Sequence, residues 1–250
     1  MKIMVSEILS GIASTSLALA ANGTPEASMF AAAVQPMLKS AFDVIIPDIS
    51  HKGATKREAI RLGLSYKAAI DTINENTNKG IPIRTDNIFV RVDNSYSKAD
   101  DILEALLKCS MDDTEEKKAE HYGYFFGNLA FCPEVNYRQA ILIQKIIPQF
   151  TYSHLCLIKL IHDRTKLTAL NWKNKTSDIN MIDGAIVYHQ TKELLQFDIL
   201  AQVGPFTLGE ELGNLTLNFL GKAMYKLLNL DKISGDDVIE ISQILDKLCK

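Results

Sequence analysis

The sequence predicts an all-α protein: a helical bundle from Met1 to about Asp163, then a small module over residues 164–250 that is winged-helix-like with one short hairpin. Three observations predict it. Apolar residues recur at steps of three and four along most of the chain. Capping residues stand where those runs begin, at Thr24-Pro25, Ser97 with Asp100, and Asn136 with Gln139. The period fails over Gly80–Ser97 and again from Arg164 to Ser177, which places the domain boundary in the second of these stretches.

Taken in order, Val5, Ile8, Leu9 and Ile12 mark a short first helix that Asn22-Gly23 breaks. Thr24 and Pro25 open the next, whose inner face is Phe30, Ala33, Val34, Met37, Leu38, Ala41, Phe42 and Ile45; Pro36 kinks it on the polar side and Pro47 ends it. A third helix runs from about Thr55 to Thr77, with Leu62, Tyr66, Ala69, Ile70 and Ile73 turned inward. The stretch from Gly80 to Ser97 reads as a long surface loop with at most a short strand at Phe89–Val92, and Arg84 and Arg91 in it are candidate partner contacts. Ser97 and Asp100 cap the helix of Ile102, Leu103, Leu106 and Leu107.

Asp112 and Asp113 are expected to open a helix that ends at Pro133. Its inner face holds Ala119, Tyr122, Phe126, Leu129 and Ala130, and Gly123 and Gly127 lie beside that face. Two helical glycines four apart cost about 1 kcal/mol each in propensity, and they strip one stripe of side chains so that another helix can approach. Gly123, Phe126 and Gly127 are therefore read as a packing joint. The helix after Asn136 is expected to be nearly buried, and the one after Thr151 apolar almost all round. Beyond the polar stretch, Asp183–Gly204 reads as one helix, Asn214–Leu230 as a short extended piece feeding another, and Gly235–Leu248 as the last.

Apolar residues at 47% and charged residues at 23% place the chain in the globular class, with no repeat or low-complexity tract. The net charge of −3 is evenly spread, with 16 basic and 18 acidic residues up to Phe150 and 11 and 12 beyond, so neither half carries the basic excess of a nucleic-acid footprint. Cys109, Cys132, Cys156 and Cys249 are far apart and form no CxxC pair, as expected of a reduced cytoplasmic protein. Ala18-Leu19-Ala20 mimics a leader-cleavage site. The basic stretch before it is only Lys2, and Glu7 interrupts the approach, so no secretory leader is expected.

The chemistry-bearing patterns are absent or incomplete. There is no GxGxxG, GxxxxGK[ST] or GxSxG, so no cofactor, phosphate cradle or nucleophile elbow is expected. His154, Cys156 and His162 lack the tight ligand pairs of a zinc site and read as core or rim residues. Pro47-Asp48 with Glu116 and Lys118 could suggest a Mg²⁺ nuclease, but that chemistry usually sits on strands, and these residues fall at helix ends. The acidic pairs Asp112-Asp113, Glu115-Glu116 and Asp236-Asp237 suit helix N-termini. Ala27–Ile46 is amphipathic, yet its polar face has one Lys and no Arg, which favours bundle burial over a membrane surface. In a winged-helix reading the groove helix would be Val187–Phe197, where Lys192, His189 and Gln190 stand against Glu193 and Asp198, a poor set for phosphate.

Four stretches, "KADDILEALLKCSM", "YGYFFGNLAFCPEVNYRQAILIQKI", "FTYSHLCLIKLI" and "LNFLGKAMYKLLNL", in that order, resemble bacterial, mostly helical proteins of the abortive infection alpha type and related uncharacterised proteins. The resemblance lies mainly in Ser97–Asp163 and consists of packing residues. It implies a role in antiphage defence and transfers no catalytic residue. The expectation is thus a non-enzymatic cytoplasmic protein that acts through protein contacts or homo-oligomerisation. The alternatives are a winged-helix DNA-binding regulator and a membrane-perturbing effector.

Overall fold

The computed structural model describes residues 55–90, 96–164, 181–203 and 214–248. The two predicted helices before Pro47, and Arg91, lie outside the described residues. Among the described residues are eight α-helices and a two-stranded antiparallel sheet. The helices are α1 (Lys56–Asn78), α2 (Lys98–Asp112), α3 (Ala119–Leu129), α4 (Tyr137–Ile146), α5 (Tyr152–Asp163), α6 (Met181–Gln196), α7 (Phe219–Leu227) and α8 (Gly235–Leu248), and the strands β1 (Leu200–Val203) and β2 (Asn214–Leu217) fall between α6 and α7. The chain forms two compact units, Met1–Pro148 and Gln149–Lys250.

Local chemistry sets the helix starts of the first unit. At α1, Thr55 Oγ1 accepts from the Glu58 N–H at 3.3 Å and the Glu58 carboxylate accepts from the Thr55 N–H. At α2, Asp100 accepts from the Ser97 N–H and hydroxyl, both at 2.7 Å, while Ser97 Oγ accepts from the Asp100 N–H. Asn136 and Gln139 exchange the same pair of bonds at α4. Each box satisfies two N–H groups that the helix leaves unpaired. The faces follow the period: Leu62, Tyr66, Ala69, Ile70 and Ile73 of α1 and Ile102, Leu103, Leu106 and Leu107 of α2 are all buried.

α1 packs chiefly on α3, with α2 against both and α4 on α2. Polar contacts pin the register. Arg61 donates from Nε and Nη2 to Met111 O at 3.1 and 2.7 Å, closing the end of α2, and Ser110 Oγ donates back to Arg61 O. At the other end of α1, Asn76 Nδ2 donates to Asn128 Oδ1 at 3.0 Å.

Several expectations change here. Asp112 and Asp113 do not open a helix: α2 runs through Asp112, Asp113 is its C-cap, and a 3₁₀ turn at Glu116–Lys118 leads into α3. α4 is half buried rather than nearly buried, because Leu142 and Lys145 face outward while Ala140, Ile143, Gln144 and Ile146 face in. No strand forms at Phe89–Val90 among the described residues.

In the second unit α5 is buried on nearly every side, with His154, Leu155, Cys156, Leu157, Ile158, Leu160 and Ile161 all inside, as its composition predicts. It packs against α6, α7, α8 and β2. For that reason the division falls after Pro148, ahead of α5, and not in the polar stretch after Asp163. The predicted helix Asp183–Gly204 is instead helix followed by strand. Asp198 takes the left-handed conformation at φ 54°, the Ile199 N–H reaches Leu194 O at 2.9 Å and the Asp198 N–H reaches Leu195 O, which together stop α6. Leu200 then pairs with Leu217 and Val203 with Asn214, forming the predicted hairpin. The predominantly helical class stands, with this small sheet.

Candidate functional site

Among the described residues of the first unit, α1 and α3 meet in a close joint. A Cβ built on Gly123 would overlap the carbonyl oxygen of Ser65 and lie 2.8 Å from Ala68 Cβ. One on Gly127 would lie 2.7 Å from Thr72 Cβ and 2.8 Å from Ala69 O. The facing stripe of α1 is itself small: Ser65, Ala68, Ala69 and Thr72. Phe126 is fully buried beside the joint, its ring centroid 5.9 Å from that of Phe89. Close approach leaves little room for hydroxyl partners, and Ser65 Oγ and Thr72 Oγ1 are buried without one.

Arg84 belongs to the interior and not to a partner-binding surface. None of its side chain is exposed. Nε and Nη2 make a two-pronged pair with Asp86 at 2.8 and 2.6 Å, Nη1 donates to Leu129 O and Cys132 O, and Nη2 also donates to Val135 O. All five guanidinium hydrogens are used, three of them on carbonyls at the end of α3 and in the following turn, where Leu129 O and Cys132 O otherwise accept only the Cys132 and Val135 N–H groups at 3.4 and 3.2 Å. The guanidinium holds the Asp86 carboxyl below its ordinary value. A loop arginine carries no local mark of burial in the sequence; beside Asp86, two residues on, the carbonyls that this one reaches lie 45 to 51 residues away.

A second buried polar group ties the 3₁₀ turn to α3. Lys118 and Tyr122 converge on the Asp113 carboxylate, each at 2.6 Å, and the Glu115 N–H donates to its other oxygen at 2.9 Å. Burial works against the Asp113 charge, but these bonds outweigh it and hold the carboxyl below its ordinary value. Burial first, and then the same carboxylate, push the Tyr122 phenol up. Cys109 accepts from Gln144 Nε2 at 3.8 Å, and burial raises its thiol. Lys118, named with Glu116 and Asp48 as a metal-site possibility, is therefore committed to an ion pair; Asp48 lies outside the described residues.

The second unit holds a network that the sequence did not announce. His154, 3% exposed, stands between Thr151 and Glu193: Nε2 is 2.8 Å from Glu193 Oε2, and Nδ1 is 2.8 Å from Thr151 Oγ1 and 3.1 Å from Thr151 N. The ring stacks on Phe150 at 5.0 Å, and Phe150 meets Phe197 edge-on. Gln190 Nε2 donates to Thr151 Oγ1 at 3.2 Å, while Ser153 Oγ donates to Gln190 Oε1. His189 Nε2 is 3.4 Å from the other Glu193 oxygen. The Thr-x-x-His spacing at the start of α5 was the available signal, since an N3 histidine can accept from the N-cap N–H.

His162 goes elsewhere, stacking on Tyr225 at 3.6 Å beside Asp163, and Cys156 is buried on α5. Among the described residues no group of three or more His, Cys, Asp or Glu could hold a metal, and no helix is long and apolar enough to cross a membrane. No protein family, curated protein or solved structure matches the chain.

Proposed function

We propose that this chain works through protein contacts, as a self-associating helical protein of phage defence. The observation that carries the contact half is on α6, where Ile182 and Ile186 stand one turn apart and 68% and 48% exposed, with Ala185 and His189 beside them. Two large aliphatic side chains on one outward stripe resemble the apolar centre of an interface more than a solvated face. The defence half rests on the resemblance of Ser97–Asp163 to abortive infection alpha-type proteins.

The test is mass in solution together with phage challenge of a host expressing the chain. The expected outcome is an oligomer and improved survival for the natural chain, and a lighter species with reduced protection for Ile182→Lys/Ile186→Lys. A monomeric natural chain would remove the contact half, and absence of protection against several phages would remove the defence half. A second reading has one observation in its favour: α6 followed by the β1–β2 ribbon is the helix-then-wing order of a winged helix. α6 itself contains one lysine, Lys192, and no arginine. A mobility shift with duplex DNA at modest salt would favour that reading, and no shift would retire it.

A further inference from the structure

We propose that His154 is an acid-sensitive latch: a proton taken at Nδ1 uncaps α5 and opens the hydrogen-bonded link between α5 and α6. This inference is independent of the contact reading, because it stands on the inward side of α6 and not on Ile182 and Ile186.

Hydrogen-bond directions fix the form of the ring. The Thr151 backbone N–H points at Nδ1 at 3.1 Å, and an N–H can only donate. Ser153 Oγ donates to Gln190 Oε1, so the Gln190 amide nitrogen is the one aimed at Thr151 Oγ1, where it donates at 3.2 Å. Thr151 Oγ1 also accepts from the His154 N–H in the capping box, which leaves its own hydrogen for Nδ1 at 2.8 Å. Nδ1 is therefore the bare nitrogen, with two donors on one lone pair, and Nε2 carries the hydrogen that goes to Glu193 Oε2 at 2.8 Å.

A second proton has no place in this arrangement. On Nδ1 it would face the Thr151 N–H, and both lone pairs of Thr151 Oγ1 are already taken. The ring is 3% exposed and stacked on Phe150, so solvent does not serve Nδ1 where it stands. Glu193 attracts an imidazolium but meets the ring at Nε2, which already carries a hydrogen, so it offers the new proton no acceptor. Among the described contacts, the other titratable groups on the elements packed here are His189 on α6, 3.4 Å from the second Glu193 oxygen, and Asp237 on α8, which accepts from the Tyr152 hydroxyl. Lys159, Asp163 and Tyr225 gather at the far end of α5.

The proton enters only once the first turn of α5 lets go and the ring turns out. The uncapped turn gives up the Thr151–Gln190 and His154–Glu193 bonds, two of those that join α5 to α6. The capped state thus refuses a proton that the uncapped state takes. By linkage the cap is fully held above the free imidazole value of about 6.5 and weakens as pH falls below it. A glutamine at the same position would make the same box without titrating, and this separates a latch from a plain cap.

The experiment uses the full chain, with two readouts from pH 7.5 to 5: the tautomer and charge of His154 by imidazole nitrogen NMR, and hydrogen exchange of the Thr151 and His154 amides, corrected for the intrinsic rate at each pH. Expected are the neutral Nε2–H tautomer at pH 7.5 and a loss of protection approaching tenfold per pH unit below about 6.5. His154→Gln should keep the protection and abolish its pH dependence, while His189→Gln should leave that dependence in place. If His154→Gln fails to fold, the tautomer and His189→Gln decide. An Nδ1–H tautomer at pH 7.5, protection that stays flat across the range, an imidazolium that forms with both amides still protected, an equal acid response in a folded His154→Gln, or loss of the response in His189→Gln would each overturn the proposal.

Discussion

Arg84 and Asp113 are two positions where a single side chain has a large predicted effect. Replacing Arg84 by Met removes the buried donor that the carbonyls of Leu129, Cys132 and Val135 share, and the expected loss is about 1–3 kcal/mol in denaturant unfolding, the cost of leaving a buried acceptor unsatisfied, because the partner Asp86 is 44% exposed and keeps its solvation. Arg84→Lys should recover little, since one compact ammonium cannot reach all the acceptors that the guanidinium fork serves. Asp113 yields a pH signature. Its carboxyl is held below the ordinary 3.8, so the folded state favours the charged form. The stability it contributes is complete above the unfolded value and is lost as pH falls through the lower folded value. Unfolding free energy should therefore drop on acidification below about pH 4, and Asp113→Asn should lower stability at neutral pH while flattening that part of the acid limb.

Among the elements, the α1–α3 joint depends on two absent side chains. Gly123→Ala gains helix propensity of about 1 kcal/mol but drives a Cβ into the Ser65 carbonyl, which cannot move without its helix. A net loss of about 1–3 kcal/mol is expected in thermal or denaturant melts. Gly127→Ala should cost less, because its new Cβ would come no nearer than 2.7 Å to Thr72 Cβ and 2.8 Å to the Ala69 carbonyl, whereas that of Gly123→Ala would overlap the Ser65 carbonyl outright. Unchanged midpoints for both would contradict the close approach. This joint was largely legible in the sequence: a Gly-x-x-x-Gly stripe beside an apolar face has few other uses. Also legible were the capping boxes at Ser97 and Asn136, since each is complete within four residues. The end of α6 was not legible, because it turns on Asp198 adopting a left-handed backbone in a position where glycine is the usual marker.

On the scale of the molecule, the division after Pro148 makes a testable statement about where the chain can be cut. A fragment of residues 149–250 should retain cooperative unfolding and helical circular dichroism, because α5 supplies the surface against which α6, α7, α8 and β2 pack. A fragment of residues 164–250 should not, since it exposes the faces that Leu155, Leu157, Ile158 and Ile161 cover. Equal cooperativity in both fragments would return the boundary to the polar stretch, where the loss of periodicity placed it. A break in periodicity marks only where a helix stops. A boundary between units depends instead on which core a helix joins, and α5 is apolar enough to serve either.

What the sequence by itself determined was local: where helices begin, which of their faces turn inward, and that Gly123 and Gly127 let a neighbour come close. Capping and periodicity act over a few residues, and so they are written in consecutive letters. Only the tertiary structure decided that the neighbour is α1, that Arg84 closes the end of α3 from inside, that α5 belongs with the C-terminal unit, and that His154 finds Glu193. Each of these joins groups distant along the chain, and their energies come from the burial and shared hydrogen bonds that exist only once the helices have met.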